Sequence, residues 1–166
     1  MITDSWEHPD LGPTTFTWRP DRDIDDVDLV TQAYGVCLAG PLVCLIQAPD
    51  IDRPHLPGGT VEEGESLEET LRREVWEEAN LRVKDLSFLG LQEVQHEEAP
   101  HERFDRKRYH QSRFVCRVER ADPVTVDPDK DYAFDRFFVP LEEMNDYLGW
   151  EDIGDDLVRL SQRYRQ

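Results

Sequence analysis

Apolar residues in this chain fall into short runs divided by polar, proline-bearing stretches, and the spacing inside each run predicts its element. Leu67, Leu71, Val75 and Ala79 recur at helical spacing. Ser66 and Glu69 just ahead form a capping-box pair, which starts a helix by satisfying orphan backbone donors. Two β-branched, apolar runs, 29–40 and 41–48, meet at Gly40-Pro41 and predict a hairpin of core strands. After the helix, 83–95 predicts one strand or two short ones, and 108–120 a strand of alternating character. Residues 134–148 predict a strand passing into a helix at Pro140. A last amphipathic helix carries Leu157, Leu160 and Tyr164. Residues 1–26, rich in Pro, Asp and aromatics, are expected to form an irregular or edge-strand lead-in, a candidate lid or homodimer contact. Strands on both sides of one central helix fit a layered α/β domain spanning 1–166.

The central helix carries chemistry as well as a packing stripe. At about 100° per residue, Glu74, Glu77 and Glu78 share a face, and Glu74 and Glu78 flank the apolar stripe. Carboxylates gathered there repel one another unless a cation lies among them. Hard oxygen ligands of this kind suit Mg2+, with Mn2+ as the alternative. The competing interpretation is a solvated Glu-rich helix with ion pairs such as Arg73–Glu77. Trp76 points away from the stripe, and burying an indole is favourable. It is therefore expected to be covered, either by the N-terminal segment or by a second subunit.

From Gly59 the chain runs Gly, five residues, Glu65, seven residues, then Arg73-Glu74-Val75-Trp76-Glu77-Glu78-Ala79-Asn80-Leu81. This resembles the signature of the Nudix hydrolase family, G-x5-E-x7-R-E-U-x-E-E-x-G-U with U aliphatic. Asn80 replaces the last glycine, and Asn is the next-best occupant of the left-handed conformation that closes a helix.

The resemblance implies an α/β/α sandwich with a mixed central sheet. It also implies Mg-dependent hydrolysis of a nucleoside diphosphate linked to another group, by water attack on phosphorus. Glu74, Glu77, Glu78 and the Gly58 carbonyl would hold the metal, Arg73 would fix a carboxylate, and Glu65 would brace the turn. The general base is open among Glu74, Glu77 and a loop carboxylate. Asp135, before the aromatic pair Phe137-Phe138, is a further candidate ligand, in competition with Glu97 and Glu98. Arg103, Arg106 and Arg108, in a basic run that also holds Lys107 and Arg113, are candidate phosphate contacts. His96, His101 and His110 lack zinc spacing. The alternatives are a Nudix-fold nucleotide sensor without turnover and an isomerase on the same fold, neither of which fits the complete acidic set as well.

Charge narrows the partners. A net charge of −18 over 166 residues argues against duplex nucleic acid and anionic membrane as partners of the bulk surface. An anionic nucleotide then needs a local cation. Three cysteines in apolar runs, none in a C-x-x-C pair, are expected to be buried thiols of a cytoplasmic protein. No apolar run is long enough to span a bilayer.

Overall fold

The computed structural model describes residues 1–8, 12–24, 29–97 and 107–165. Strands β1 (Ile2–His8), β2 (Gly12–Arg19), β3 (Val30–Ala39), β4 (Leu42–Gln47) and β5 (Gly58–Thr60) precede helix α1 (Leu67–Ala79). Then come β6 (Leu81–His96), β7 (Arg108–Ala121), β8 (Asp135–Pro140), α2 (Met144–Leu148) and α3 (Glu151–Ser161). The strands form one sheet in the order β1-β2-β6-β7-β3-β4-β8, with β5 paired to β3. Among the described residues only β3 and β7 run parallel; the other pairs are antiparallel.

Strand alternation divides the core between two faces. Val36, Leu38, Val43 and Leu45 pack with Leu141, Met144, Leu148, Ile153 and Leu157, so α2 and α3 cover one face. Ala33, Cys37, Cys44 and Ile46 pack with Leu71, Val75 and Ala79, so α1 covers the other. The expected layered, mixed α/β architecture is what forms. Each fully buried Leu or Val contributes about 1.5–3 kcal/mol. The three cysteines are buried and unpaired by disulfides. Among the described residues no helix is long and apolar enough to cross a membrane.

Of the alternatives open for the N-terminal lead-in and for the segment after α1, the edge strand and the single strand are the ones that form. The N-terminal lead-in is a regular hairpin, β1 on β2 from Ile2↔Trp18 to His8↔Gly12, and β2 continues onto β6. Thr14, Phe16 and Trp18 alternate into the core, a period of two that makes a strand where the prolines argue for irregularity. The segment after α1 is one 16-residue strand. Shifts of its pairing near Arg82, Lys84 and Phe88 bend it in place of a break. Trp76 is half-buried. The guanidinium of Arg82 lies 4.6 Å from the ring centroid.

Candidate active site

Helix α1 begins and ends as its sequence predicts. Ser66 Oγ accepts from the Glu69 N–H, and the Glu69 carboxylate accepts from the Ser66 N–H, a complete capping box. Asn80 closes the helix at φ 49° and ψ 43°. Its amide also bonds across to the chain after β7. Nδ2 donates to Thr125 Oγ1 (3.1 Å), and Oδ1 accepts from the Thr125 N–H (2.8 Å). Asparagine thus supplies a left-handed cap and a tether that glycine lacks.

Ahead of the helix, Gly58-Gly59 runs close beneath α1. Gly58 has φ 148°, and a side chain there would strike the Ala33 carbonyl and Tyr34. A Cβ on Gly59 would sit 2.5 Å from the Glu74 carboxylate. These two glycines let the carboxylate face of α1 lie directly on backbone. There the Gly58 N–H donates to Glu78 Oε2 at 3.0 Å.

Around this contact a cavity of about 440 Å3 is lined by Gln32, Tyr34, Gly58, Glu74, Glu78 and Lys130, among others. Arg73 braces its wall. Nε and one terminal nitrogen grip Glu65 at 2.7 and 3.1 Å, and the same terminal nitrogen donates to the Thr60 carbonyl. The other reaches Glu74 and Glu77, both at 3.0 Å. Arg73, with help from the Thr70 hydroxyl at 2.7 Å, holds the Glu65 carboxyl down to a pKa of about 2. Glu65 therefore stays ionised and keeps Arg73 in place.

The inner carboxylates behave oppositely. Burial pushes Glu78 up to about 7 against the Gly58 N–H and Lys130, which favour the charge. Burial also raises Glu74 and Glu77, with Arg73 pulling both back. Lys130 Nζ lies 3.4 Å from Glu78 and 2.9 Å from Asp127, which is itself buried. An ammonium on a loop thus answers the carboxylate charge. This residue escapes sequence reasoning, because one lysine in a turn-rich stretch carries no pattern; its rarity in the chain was the only signal.

The structure brings Glu74, Glu78 and Gly58 to one cavity. Glu77 is joined to them through Arg73 and is not among the described residues lining it. No three acidic, His or Cys side chains among the described residues converge as a preformed metal cage; Glu77 turns to Arg73 and Glu78 to Lys130. Asp135 is exposed at the head of β8 opposite Gln47, outside the described cavity lining. Glu97 stands beside the N-terminal hairpin, its N–H bonded to the Pro13 carbonyl. Asp129 is the loop carboxylate that does line the cavity. Arg108 is spent on Glu93. Arg103, Arg106, His101 and Glu98 lie outside the described residues. His110 faces Glu93 at 3.4 Å, and His96 is buried near Tyr109.

Known proteins share this fold. The NUDIX domain family model matches residues 30–159. Among solved structures, the fold is similar to that of a Bacillus subtilis pyrophosphohydrolase. That likeness has a TM-score of 0.71 and 21% identity, and covers 96% of this chain and 97% of that one. It is similar to an ADP compounds hydrolase at TM-score 0.54 and 15% identity, over 99% and 91% of the two chains. It is also similar to a C. elegans Ap4A hydrolase at TM-score 0.51 and 20% identity, over 83% and 99%.

Proposed function

The chain belongs to the Nudix hydrolase family, and from that premise we propose that it is a divalent-metal-dependent pyrophosphohydrolase of nucleoside diphosphate derivatives. The observation that carries this reading is the placement of Glu74 and Glu78 on one cavity, with burial raising both carboxyls. Carboxylates held this way are stabilised by added positive charge. The donor set is all oxygen, which fits Mg2+ or Mn2+, and Gly59 leaves space that any Cβ would take from the Glu74 carboxylate. Glu74, Glu77, Glu78 and the Gly58 carbonyl are the residues that would hold the ion. When bound, it would neutralise phosphate charge and lower the pKa of water.

The chain's own residues do the rest. Arg73 fixes the orientation of Glu74 and Glu77 through a fork that lysine does not reproduce. Glu65 holds that fork from the opposite side. Lys130 places a positive charge in the lining of an otherwise acidic site, where a diphosphate must enter a chain of net charge −18. Asp129 lines the same cavity and would serve as the loop carboxylate among the candidate general bases.

The test is phosphate or nucleotide release from a panel of nucleoside diphosphate derivatives, with millimolar Mg2+ and again with excess chelator. Turnover with metal and none with chelator is expected. Full turnover in chelator, or binding with no product from any substrate, would overturn the reading; the latter would favour a sensor.

A further inference from the structure

Tyr34 belongs to two cavities. It lines the acidic one, and it lines a second of about 300 Å3 with Trp6, His55, Gln92, Gln111, Arg113 and Trp150 among the others. That volume is at the low end for small-ligand clefts, enough for one ring system. The second cavity lies between the N-terminal hairpin and α3, on the sheet face opposite α1, and Tyr34 connects the two.

At its floor is a buried arginine. Arg113 is 2% exposed, yet among the described residues its charge is answered by no carboxylate. One terminal nitrogen donates to Gln111 Oε1 at 2.7 Å and to Gln92 Oε1 at 3.1 Å, and the other to the Ser112 carbonyl at 3.3 Å. The guanidinium carbon lies 4.7 Å from the Tyr34 ring centroid and 5.6 Å from that of Trp150. Its Nε is buried with no partner. Burial accordingly pushes its pKa down to about 10. A charge held like this, against desolvation and with no counter-charge among the described residues, is costly for the fold and makes its surroundings a candidate ligand site.

The surroundings specify the ligand. A guanidinium donates only, so both glutamine oxygens turn toward it. Gln111 in turn donates to Gln32 Oε1, which extends the polar row across the sheet toward the acidic cavity. Above this row are two indoles. Trp6 is 37% exposed and is held flat by stacking on Phe16 at 3.8 Å between centroids; Trp150 closes the other side from the start of α3. Aromatic faces take a flat base of any kind, whereas a donor-only group at its edge donates to carbonyl oxygens and disfavours amino groups.

We propose that this cavity receives the nucleobase of the substrate, and that Arg113 selects a base with a carbonyl edge, such as a 6-oxopurine, over adenine. The inference rests on the reading of the substrate as a nucleotide, and it names the part of the substrate that the acidic cavity does not touch.

Nucleosides test it without metal or turnover. The full chain is titrated in chelator with inosine, adenosine, uridine and cytidine, following tryptophan fluorescence. Inosine and adenosine differ at the base edge that matters. Saturable quenching by inosine and uridine is expected, with inosine preferred over adenosine by about tenfold or more, the scale of one good arginine–carbonyl pairing. Trp6→Ala should weaken inosine by about tenfold, and Arg113→Met should equalise inosine and adenosine. If Arg113→Met does not fold, the native preference and Trp6→Ala, on an edge strand, decide the matter. Adenosine bound as well as inosine, or an unaffected Trp6→Ala, would overturn the proposal. So would nucleosides that fail to bind while their monophosphates bind equally, since Arg113 would then serve phosphate. Failure of every nucleotide to release product would overturn the hydrolase reading alone. Turnover with no preference between carbonyl and amino bases would overturn this one alone.

Discussion

Replacing Glu78 by glutamine separates the cost of the site from its purpose. Glu78 is 4% exposed, and burial lifts its pKa from 4.5 to about 7. At 1.36 kcal/mol per unit, the ionised carboxylate costs the metal-free fold on the order of 3 kcal/mol. The sign follows from proton binding. Between pH 4.5 and about 7 the folded state holds a proton that the unfolded state has lost. The stability this group contributes is therefore complete below 4.5 and lost as pH rises through 7. Glutamine removes that loss and keeps a carbonyl for the Gly58 N–H. It gives up the contact with Lys130, whose favourable effect on the charge is already part of that net figure, and Lys130 keeps Asp127. The net gain at pH 8 is on the order of 3 kcal/mol, or roughly 6–12 °C in Tm for a chain of this size. Thermal unfolding of Glu78→Gln and the parent in chelator, at pH 8 and pH 5, reads it directly. The advantage should be present at pH 8 and absent at pH 5. With Mg2+, the same variant should lose at least ~100-fold in turnover. A variant less stable at pH 8, or one equally stabilised at both pH values, would refute the reasoning about burial. Near-normal turnover would remove Glu78 from the metal set.

Three further substitutions test separate parts of the site. Gly59→Ala puts a Cβ 2.5 Å from the Glu74 carboxylate; displacing that carboxylate by about 1 Å should cost about 100-fold in kcat while circular dichroism stays unchanged. Arg73→Lys keeps the charge but not the fork across Glu65, Glu74 and Glu77; turnover should fall at least ~10-fold and Tm by roughly 3–6 °C, and an unchanged variant would reduce Arg73 to surface charge. Asn80→Gly keeps the left-handed cap but loses both contacts with Thr125; Tm should fall by about 2–6 °C, with faster hydrogen exchange at residues 125–130.

What was legible in the sequence was local. The capping box, the apolar stripe, the left-handed position at Asn80 and the inward lean of Glu74 and Glu78 all follow from one helix and its period. The hairpin at Gly40-Pro41 and the passage at Pro140 were legible for the same reason, since turn chemistry and strand alternation are short-range. Contacts between distant segments were not. Lys130 reaches Glu78 across 52 positions, and nothing near either residue announces the other. Arg113 belongs in sequence to a basic run of candidate phosphate contacts that overlaps the strand expected at 108–120, and a run of charges does not say which of them turn inward. It is the alternation of β7, with Tyr109 and Arg113 both turned inward, that buries it. In the N-terminal segment, Thr14, Phe16 and Trp18 carried the strand signal, and neighbouring prolines and acids masked it.

The order of strands in the sheet has a consequence for how the chain comes to be folded. Strand β7 lies between β6 and β3 but is made after both, and its parallel pairing joins positions as far apart as Val30 and His110. At roughly 5–20 residues per second of synthesis, the apolar edge of β3 waits several seconds for its neighbour. During that wait β3 has only the hairpin to β4 and the short β5 beside it. Pairings this distant in sequence are slow to close, because loop entropy is lost before contacts compensate for it. Lys130, Asp127 and α3 follow later still. Neither cavity can be complete until the last third of the chain has emerged, since both are lined by residues from it.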